Sequence, residues 1–546
     1  MTCLEPWHWR SQPLNYRSGS DIFEALFLKP SSGVEPQIFA AGGQSRSPIG
    51  NWRAIATLLE SPAQVNPSER LSFAAQSRFS ICAGSPRYNQ AIPAIWTPGI
   101  GYILPMLKER LASTQSLESD RDRLGSCPTH LPFTGGWLGW LGYDLAWEIE
   151  HLPHKKSDPL PFPVAFWYEP ETFAVLDHQE QQLWLAATDA AHLNEMERSL
   201  DSFAVICNSS TALQPEDSLE TFSQETVPSH LSFVSTQADY EIAVEKAKQY
   251  IQSGDIFQTN LSLRFSTATQ AESWNIYRAL QHLNPSPFAS YWRSPWGDVV
   301  SCSPERLVQR QGNIVQTRPI AGTRPRGKTP DQDQYFQQEL VSNAKENAEH
   351  IMLVDLERND LGRVCEWGTV HVDELLATEH YSHVMHLVSN VKGKLRSPYS
   401  SVDLIRAMFP GGTITGCPKV RCMEIIEELE PLRRSLFYGS CGYLDWRGDL
   451  DLNILIRTLL YVPQSTPRSD SRNSLDCGES SVYHNRQVLR NDRWAIAIGQ
   501  IGAGIVADSQ PRREWHESMT KAQAQLEALR CATIGESVGS TEEAAR

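Results

Sequence analysis

The sequence predicts a mixed fold in which helices accompany antiparallel strands, and three features of the chain carry this prediction. The apolar stretches FAVLDH and QQLWLAAT flank a turn at residues 178–180, which is typical of a β-hairpin. ERLVQR and NIVQTRPI flank Gln311 and Gly312 in the same way. Residues 238–252 and 515–529 instead place apolar side chains at steps of three and four, which indicates amphipathic helices.

Length and composition limit what the chain can do. Its 546 residues are enough for a sizeable core, and 40% hydrophobic with 21% charged residues is typical of a globular protein. The net charge of -15 argues against a nucleic-acid-binding protein, because phosphate binding needs a basic face. No apolar run approaches the ~18 residues that a membrane-spanning helix requires.

The eleven cysteines are dispersed between Cys3 and Cys531. None forms a C-x-x-C pair, and no Cys/His cluster has the spacing of a zinc site. An odd number of scattered cysteines fits the reduced thiols of a cytoplasmic protein. The first residues also lack the apolar region of a secretory signal. We therefore expect a cytoplasmic location.

Shifts in composition divide the chain into predicted regions. Residues 1–207 form a first mixed region, and 208–232 are rich in Ser, Thr and Glu, which is typical of a linker. A second mixed region covers 233–532. Within it, the polar segment 463–487 separates two apolar strands and is predicted to be a disordered loop. The tail at 533–546 is also predicted to be disordered.

Two predicted helices carry carboxylates that are candidates for a metal site. Glu517 and Lys521 are four residues apart, on a face of helix 515–529 that differs from its apolar stripe. A second predicted helix at 339–355 places Glu346 and Glu349 on one side. Carboxylates from two helices can hold a hard cation such as Mg²⁺. The spacing alone is equally compatible with two solvated helix faces.

Two further polar residues interrupt apolar stretches. Arg457 lies in NILIRTLL, where a charge is costly unless it is paired. Its partner is either a carboxylate of the protein or the carboxylate of a ligand, which a guanidinium binds through two hydrogen bonds. His386 lies in HVMHLVSNV and is either a core histidine or a catalytic one.

Several common catalytic and nucleotide-binding motifs are missing from the chain. The glycine-rich segments 409–419, 438–444 and 501–506 match neither the P-loop nor the G-x-G-x-x-G pattern. Glycine there would instead allow backbone N–H groups to approach a carboxylate. There is no G-x-S-x-G and no amidotransferase nucleophile segment, so the chain is not expected to release ammonia from glutamine itself.

Six ordered motifs together resemble the chorismate-binding enzyme family, which includes the large subunits of anthranilate synthase and aminodeoxychorismate synthase, and the isochorismate and salicylate synthases. They are SPERL (303–307), QTRPIAGTRPRG (316–327), AEHIMLVDLERNDLGRV (348–364), HLVSNVKG (386–393), FPGGTITGCPKVRCMEIIEELEP (409–431) and GAGIVADS (502–509). The resemblance is strong over about 235–530 and weaker in the first region, through LLES (58–61), SRFSICAG (77–84) and GGWLGWLGYDL (135–145). It implies an α+β fold, an α/β sandwich of two large antiparallel β-sheets around a central cleft, with helices outside.

The resemblance also implies how chorismate, a dianion, is held. The residues that match binding positions are Glu349 and Glu517 for Mg²⁺ on the ring carboxylate, Glu346 in support of them, Arg457 and Tyr443 for the enolpyruvyl carboxylate, Gly502, Gly504 and Lys521 for the ring carboxylate, and Thr415 and Gly416 along the cleft. Mg²⁺ is the only cofactor that the resemblance implies.

Three residues match catalytic positions of the family. Glu305 of SPERL matches the general acid for the C4 hydroxyl, which requires a raised pKa. His386 matches a histidine near the ring. Gln258 stands where the water-using relatives carry a lysine base, and an amide can orient a neutral nucleophile but cannot deprotonate water. We therefore expect ammonia as the nucleophile, supplied by a separate glutamine amidotransferase subunit.

The motifs divide between two products. Ala321 of PIAGT replaces the lysine of one form of aminodeoxychorismate synthase, and HYSHVMHLVSNV and GAGIVADS resemble anthranilate synthases. SPER, FQTNL, PFASYW, PGGTITG and GYDLAWEIEHLP resemble the aminodeoxychorismate branch. We favour aminodeoxychorismate and keep anthranilate, formed with loss of pyruvate, as the alternative. LLES further predicts that Glu60 and Ser61 line a tryptophan-sized pocket.

Overall fold

A computed structural model of the chain describes residues 7–28, 52–61, 78–115, 128–209, 231–327, 329–380, 384–464 and 494–543. Most of the predicted linker, from 210 to 230, and the predicted loop from 465 onwards lie outside these residues. Across the described ranges, no helix is both long and apolar enough for a membrane span.

The strands of the structure, in chain order, are β1 (His8–Pro13), β2 (Ala56–Glu60), β3 (Phe79–Ala83), β4 (Tyr88–Asn89), β5 (Ile92–Pro93), β6 (Ile95–Trp96), β7 (Gly136–Leu141), β8 (Ala165–Tyr168), β9 (Thr172–Asp177), β10 (Gln182–Ala187), β11 (Ser232–Phe233), β12 (Gln258–Thr269), β13 (Phe288–Ser294), β14 (Gly297–Ser303), β15 (Arg306–Gln311), β16 (Ile314–Arg318), β17 (Ile320–Pro325), β18 (His371–His380), β19 (Val384–Lys394), β20 (Gly416–Cys417), β21 (Ser440–Asp445), β22 (Leu450–Asn453), β23 (Thr458–Gln464) and β24 (Trp494–Ile505).

The α-helices are α1 (Gly19–Phe23), α2 (Ile103–Gln115), α3 (Ala146–Ile149), α4 (Ala190–Ser209), α5 (Gln237–Gln252), α6 (Ser273–Leu283), α7 (Pro330–Ser342), α8 (Ala344–Gly362), α9 (Ser401–Met408), α10 (Lys419–Leu429) and α11 (Pro511–Glu543). Short 3₁₀ turns at Trp52–Ala54, Tyr143–Leu145 and Gly412–Ile414, and a π-helical turn at Glu24–Leu28, complete the regular structure of the described residues.

Two large antiparallel sheets organise the molecule, as the resemblance implied. The first has the order β1-β10-β9-β3-β2-β13-β14-β23-β24-β12-β11, with β20 also paired to β12. The second has the order β17-β19-β16-β15-β22-β21-β7-β8-β6, with β18 also paired to β19. Both sheets combine strands from the two predicted regions, because β2 pairs with β13 and β7 pairs with β21. The region boundaries themselves stay a prediction.

Strand alternation explains how the first sheet buries both of its faces. Trp292 and Val299 pack into the core between the two sheets, whereas their neighbours Tyr291 and Val300 pack into a second core. Successive side chains of a strand point to opposite faces, so one strand serves both cores. Helices α5, α6 and α11 cover the second core on the outside of the sheet.

The predicted hairpins are confirmed. β9 pairs with β10 around residues 178–181, and β15 pairs with β16 around Gly312, whose φ of +62° favours glycine. The two apolar strands on either side of the predicted loop also pair, from Leu459 opposite Gly499 to Gln464 opposite Trp494. Gln464 and Trp494, where the described residues end and resume, therefore lie side by side.

The predicted helices exist, but one is interrupted and one is longer than expected. α5 and α11 contain the predicted segments 238–252 and 515–529, and α11 continues to Glu543, past residue 532, where the predicted tail begins. The single helix predicted at 339–355 is wrong, because α7 ends and α8 begins around Asn343. Asn343 has a non-helical ψ of 103°, and its Oδ1 accepts a hydrogen bond from Glu346 N at 3.2 Å. This side chain caps the new helix.

Candidate active site

A corner of the first sheet brings several predicted residues together where β12 lies between β24 and β20. Gln258 pairs with Cys417, and Asn260 lies opposite Gly504. A Cβ on Gly504 would stand only 2.5 Å from Gln258 Nε2, so glycine at 504 provides the space in which the Gln258 amide sits. Thr415 joins the same corner because its carbonyl accepts a hydrogen bond from Asn260 N at 2.9 Å.

Gly416 connects β12 to the glycine-rich segment 409–419. Its φ is +125°, and a Cβ would stand 2.2 Å from the Gln258 carbonyl oxygen. Both the backbone conformation and the close approach of β12 therefore exclude a larger residue. Thr415 is fully buried, and its hydroxyl donates a hydrogen bond to the Gly411 carbonyl at 2.8 Å. This hydroxyl therefore stabilises the loop and is not exposed to the cleft.

Lys521 extends the site from α11. Its Nζ donates to the Gly502 carbonyl at 3.1 Å and forms an ion pair with Glu517 at 2.8 Å. On the other side of Gly502, a Cβ would stand 3.0 Å from the Tyr438 hydroxyl. Gly502 is thus flanked by an ammonium group and a phenol, both able to donate to a carboxylate.

Tyr438 is a residue that the sequence reasoning missed. It has a φ of +63°, which is uncommon for a residue with a Cβ, and its side chain is buried. Its hydroxyl hydrogen-bonds Ser262 and lies close enough to Arg457 to feel its charge. Backbone strain of this kind concentrates at functional sites. Tyr438 is the first residue of the segment YGSCGYL, which also contains Tyr443, the tyrosine that the resemblance matches to a binding position.

Tyr443 lies elsewhere, and its predicted place in the cleft is not what the structure shows. On β21 its ring packs edge-on against Phe133, with centroids 5.6 Å apart. Burial raises the pKa of its hydroxyl, which faces Arg306 and Asp451. These residues line a separate pocket with Glu60. Tyr438 precedes β21 in a left-handed conformation, so the strand alternation of Tyr443 does not predict where Tyr438 points.

Arg457 and His386 face each other across the cleft. Arg457 precedes β23 with a φ of +52°, so its predicted position within the apolar strand is wrong by one residue. Burial lowers the pKa of the guanidinium, and it forms no ion pair with any carboxylate of the described residues. Burial and Arg457 lower the pKa of His386 to about 4, so this imidazole is neutral at pH 7. Its Nδ1 lies 2.9 Å from Thr323 Oγ1.

Glu305 is a buried carboxyl group at the end of β14. Burial raises its pKa to about 8, the Thr413 side chain and the Ile320 N–H act against this rise, and the charge of Glu357 adds to it. Ser303 Oγ and the Ile454 N–H hold the backbone on both sides of it. A carboxyl group in this state carries a proton at neutral pH and can donate it.

Glu357 of α8 is a second buried carboxyl group close to Glu305. Burial and the neighbouring Asp360 raise its pKa, while Lys419 acts in the opposite direction. It hydrogen-bonds the Gly412 N–H, one residue before Thr413. Lys419 itself is paired with Asp360 at 2.5 Å. Two adjacent residues thus contact the two carboxyl groups, Gly412 through its backbone N–H and Thr413 through its side chain. Neither Glu357 nor Thr413 was singled out by the sequence reasoning.

The predicted magnesium ligands stand on separate helices. Glu517 on α11 is 53% exposed and paired with Lys521, and Glu349 on α8 is half-buried. One turn before it, Glu346 pairs with Arg324 at 2.8 Å through one oxygen, while Oε2 is buried and accepts no hydrogen bond from the described residues. That oxygen and two further carboxylates fit the oxygen ligands that Mg²⁺ prefers. No group of three or more potential ligands is already gathered within the described ranges.

Glu60 and Ser61 line a cavity of about 120 Å³ between the two sheets. The Glu60 carboxylate accepts three hydrogen bonds, from Ser20 N, Ser20 Oγ and Tyr277 Oη, each at 2.7 Å. Burial nevertheless raises its pKa. The cavity is bordered by residues from both predicted regions: Leu59, Arg78, Phe79, Ile81, Pro132, Pro287, Phe288, Ala289, Arg306, Gln309, Gln311, Cys441, Gly442, Tyr443, Asp451 and Asn453.

The known proteins that this chain is similar to share one family. The family model described as chorismate binding enzyme matches residues 59–468. An anthranilate synthase component I-like protein of Synechocystis is 52% identical over 96% of this chain and 92% of its own length. Aminodeoxychorismate synthase component 1 of Bacillus subtilis is 43% identical over 73% and 77%. The crystal structure of anthranilate synthase component I from Streptococcus pneumoniae covers 91% of this chain and 100% of its own, with a TM-score of 0.61 and 29% identity.

Proposed function

Because the chain belongs to the chorismate-binding enzyme family and is a chorismate-utilising enzyme of the anthranilate and aminodeoxychorismate synthase type, we propose that it aminates chorismate to aminodeoxychorismate. In the proposed reaction ammonia replaces a hydroxyl group, which leaves as water. The observation that carries this proposal is the buried, protonated Glu305 in a cleft lined by donors for two carboxylates.

Glu305 supplies the proton that makes hydroxide a leaving group. The carbon–oxygen bond breaks as the proton moves to the oxygen, and Glu305 becomes a carboxylate. Its pKa near 8 fits this task at neutral pH, since an acid is most effective when its pKa lies near the working pH. The neutral His386 adds a polar contact beside the ring without adding a charge.

Two groups of donors match the two carboxylates of chorismate. Arg457 has no carboxylate partner among the described side chains, and Tyr438 lies beside it, so we assign both to the enolpyruvyl carboxylate. We assign Lys521, together with the glycine positions 502 and 504 beside it, to the ring carboxylate. A guanidinium and a phenol hold a carboxylate by charge-assisted hydrogen bonds.

We assign a bound Mg²⁺ to Glu349 and Glu517, with support from Glu346. The ion would neutralise the ring carboxylate and favour charge that builds up there when the ring is attacked. Lys521 pairs with Glu517 at 2.8 Å, and its ammonium group would help to neutralise the same ring carboxylate.

Ammonia is the proposed nucleophile because Gln258 offers an amide rather than a base. A lysine at this position could remove a proton from water, whereas an amide is not a base and can only orient a nucleophile that is already neutral, by hydrogen bonds. The chain shows no glutaminase motif, so we propose that a separate glutamine amidotransferase subunit supplies the ammonia.

Anthranilate is the alternative product, and the Glu60 cavity is the observation that favours it. A pocket of this kind next to LLES is where a tryptophan-inhibited enzyme would bind its effector. Ala321, on β17 beside the cleft, also excludes a lysine nucleophile at that position. Between the two products, we prefer aminodeoxychorismate because more of the motifs resemble that branch.

One assay distinguishes the products. The purified chain is incubated with chorismate, Mg²⁺ and an ammonium salt, and the product is identified by mass and fluorescence. Aminodeoxychorismate keeps the enolpyruvyl group and needs a lyase to become 4-aminobenzoate, whereas anthranilate is fluorescent and appears with pyruvate. Failure to consume chorismate would contradict the proposal. Addition of millimolar tryptophan tests the cavity, and unchanged activity would remove the regulatory role.

A further inference from the structure

Two side-chain amides of β12 carry buried oxygen atoms that lack a donor. Gln258 Oε1 and Asn260 Oδ1 are both inaccessible to solvent and accept no hydrogen bond from any residue that the structure describes. Buried polar atoms are nearly always paired in folded proteins, because an unpaired acceptor costs about 1–3 kcal/mol. Two of them at neighbouring positions therefore indicate a ligand that donates hydrogen bonds.

The two amides point into the same space. Residues 258 and 260 alternate on one strand, so their side chains leave the same face of the sheet. Asn260 is directly opposite Gly504, and the Gln258 amide lies where the side chain of residue 504 would begin. Cβ positions of opposite residues are about 5 Å apart. The Gln258 amide, which occupies the space that glycine leaves at 504, is therefore next to the Asn260 side chain.

The surroundings fit a small neutral donor. Arg434 Nη2 donates to the Asn260 backbone carbonyl at 2.7 Å, and its other donors are taken by Glu430 and Ile414. Lys521 Nζ is directed to the Gly502 carbonyl and Glu517. These cations therefore have partners of their own, and the two amide oxygens are left to a molecule with N–H or O–H groups. Two acceptors on the same face of one strand can bind a single small molecule that carries several N–H donors.

We propose that the amide oxygens of Gln258 and Asn260 form the binding site for ammonia. This inference rests on the proposed function and adds to it the second acceptor, Asn260. Ammonia has three N–H donors and one lone pair. Two hydrogen bonds that it donates to the amide oxygens orient the molecule and leave its lone pair directed at the substrate. Water bound in the same way would keep its proton, because an amide cannot remove it.

The step balances without a further reactant. The nitrogen lone pair forms the new carbon–nitrogen bond, and the carbon–oxygen bond breaks to give water, which takes its proton from Glu305. The nitrogen then carries one proton more than the neutral amine. Release of this proton to the Glu305 carboxylate restores the acid and leaves the net charge unchanged.

The test measures the KM for ammonia and the KM for chorismate with the full-length chain. Mg²⁺ is present, and an ammonium salt replaces the glutaminase. Asn260→Ala is expected to raise the KM for ammonia roughly tenfold, which corresponds to about 1.4 kcal/mol, the value of one hydrogen bond. The KM for chorismate should stay within about twofold of the original, because both carboxylate contacts remain. Asn260→Asp, which keeps an acceptor oxygen, should restore the KM for ammonia.

Asn390→Ala serves as the matched control. This asparagine also lies in a strand and is buried, but its amide already donates to Asp373 at 2.7 Å. Both Michaelis constants should be unchanged in this variant. An equal rise of the KM for chorismate in Asn260→Ala would show that the amide binds the substrate, and an unchanged KM for ammonia would also overturn the inference. If the original chain consumes no chorismate, the proposed function fails before this comparison is made.

Discussion

The Glu60 pocket and the cleft at Glu305 each contain a fully buried carboxyl group with a raised pKa, but the two groups are held in different ways. Glu60 accepts three hydrogen bonds of 2.7 Å from Ser20 and Tyr277. At Glu305, only the Thr413 side chain and the Ile320 N–H stabilise the carboxylate by hydrogen bonds, and the nearby charge of Glu357 opposes its ionisation. Burial alone therefore does not distinguish the two carboxyl groups, whereas the number of fixed donors around each of them does.

The same contrast extends to the polar groups around each carboxyl. In the pocket, Arg306 pairs with Asp451 at 2.9 Å, and Arg78 pairs with Asp177 at 2.7 Å. In the cleft, Gln258 Oε1 and Asn260 Oδ1 are buried without a hydrogen-bond partner among the described residues. The polar groups named in the pocket thus satisfy each other, whereas the unsatisfied amide oxygens in the cleft are available to a ligand.

The largest effect is expected from Glu305→Gln. The amide cannot donate a proton to the leaving hydroxyl, so turnover should fall by roughly 10²-fold or more. Glu60→Gln, the matched change in the pocket, should leave turnover within about twofold, since Glu60 does not contact the reacting atoms. Steady-state kcat with chorismate and ammonium is the measurement. Near-normal turnover of Glu305→Gln would reject its role as the acid.

The second prediction concerns the free energy of unfolding, and here the larger effect is expected at Glu60 rather than at Glu305. Glu60→Ala removes the acceptor of Ser20 N, Ser20 Oγ and Tyr277 Oη, so the free energy of unfolding should fall by about 2 kcal/mol. Urea denaturation followed by tryptophan fluorescence measures this loss. Glu305→Gln should unfold at nearly the original urea concentration, and a comparable loss of stability there would remove the distinction between the two sites.

The third prediction uses two tyrosines that are five residues apart. Tyr438→Phe removes the hydroxyl beside Gly502 and Arg457, so the KM for chorismate should rise roughly tenfold. Tyr443→Phe removes a hydroxyl of the Glu60 pocket and should leave this KM unchanged. If the two variants behave in the opposite way, Tyr443 is the substrate contact, as the resemblance implied.

The smallest effect concerns pH. Because protonated Glu305 is the active form, and its pKa is about 8, activity should fall as the pH rises through that value. Glu357→Gln removes a charge that raises this pKa while an amide still occupies the site, so the alkaline decline should move to lower pH. The ratio of activity at pH 8 to that at pH 6.5 should drop about threefold relative to the original chain. An unmoved pH profile of kcat/KM would contradict the coupling.

Local patterns predicted parts of the fold. The hairpins around residues 178–181 and Gly312 follow from alternation and turn residues, whereas the role of Glu305 as the acid follows from the resemblance of SPERL to the family motif and stays a prediction. The pairing of β2 with β13 and of β7 with β21 joins segments far apart in the chain, and no local pattern encodes it.

The errors have local physical causes. Tyr438 and Arg457 both adopt a positive φ, so strand periodicity does not give the direction of their side chains. Asn343 divides a predicted helix because its side chain caps the next one, which competes with helix continuation. The role suggested for Glu357 depends on its distance from Glu305, which is set by the tertiary structure.

The interleaving of the two sheets restricts how this enzyme can be cut and recombined. β2 lies between β3 and β13, and β7 lies between β8 and β21, so removing residues 1–207 would open the interior of both sheets. The Glu60 pocket has walls from both parts of the chain. Exchange of this pocket between relatives would therefore require paired strands to be exchanged together, because its walls come from separate segments of the chain.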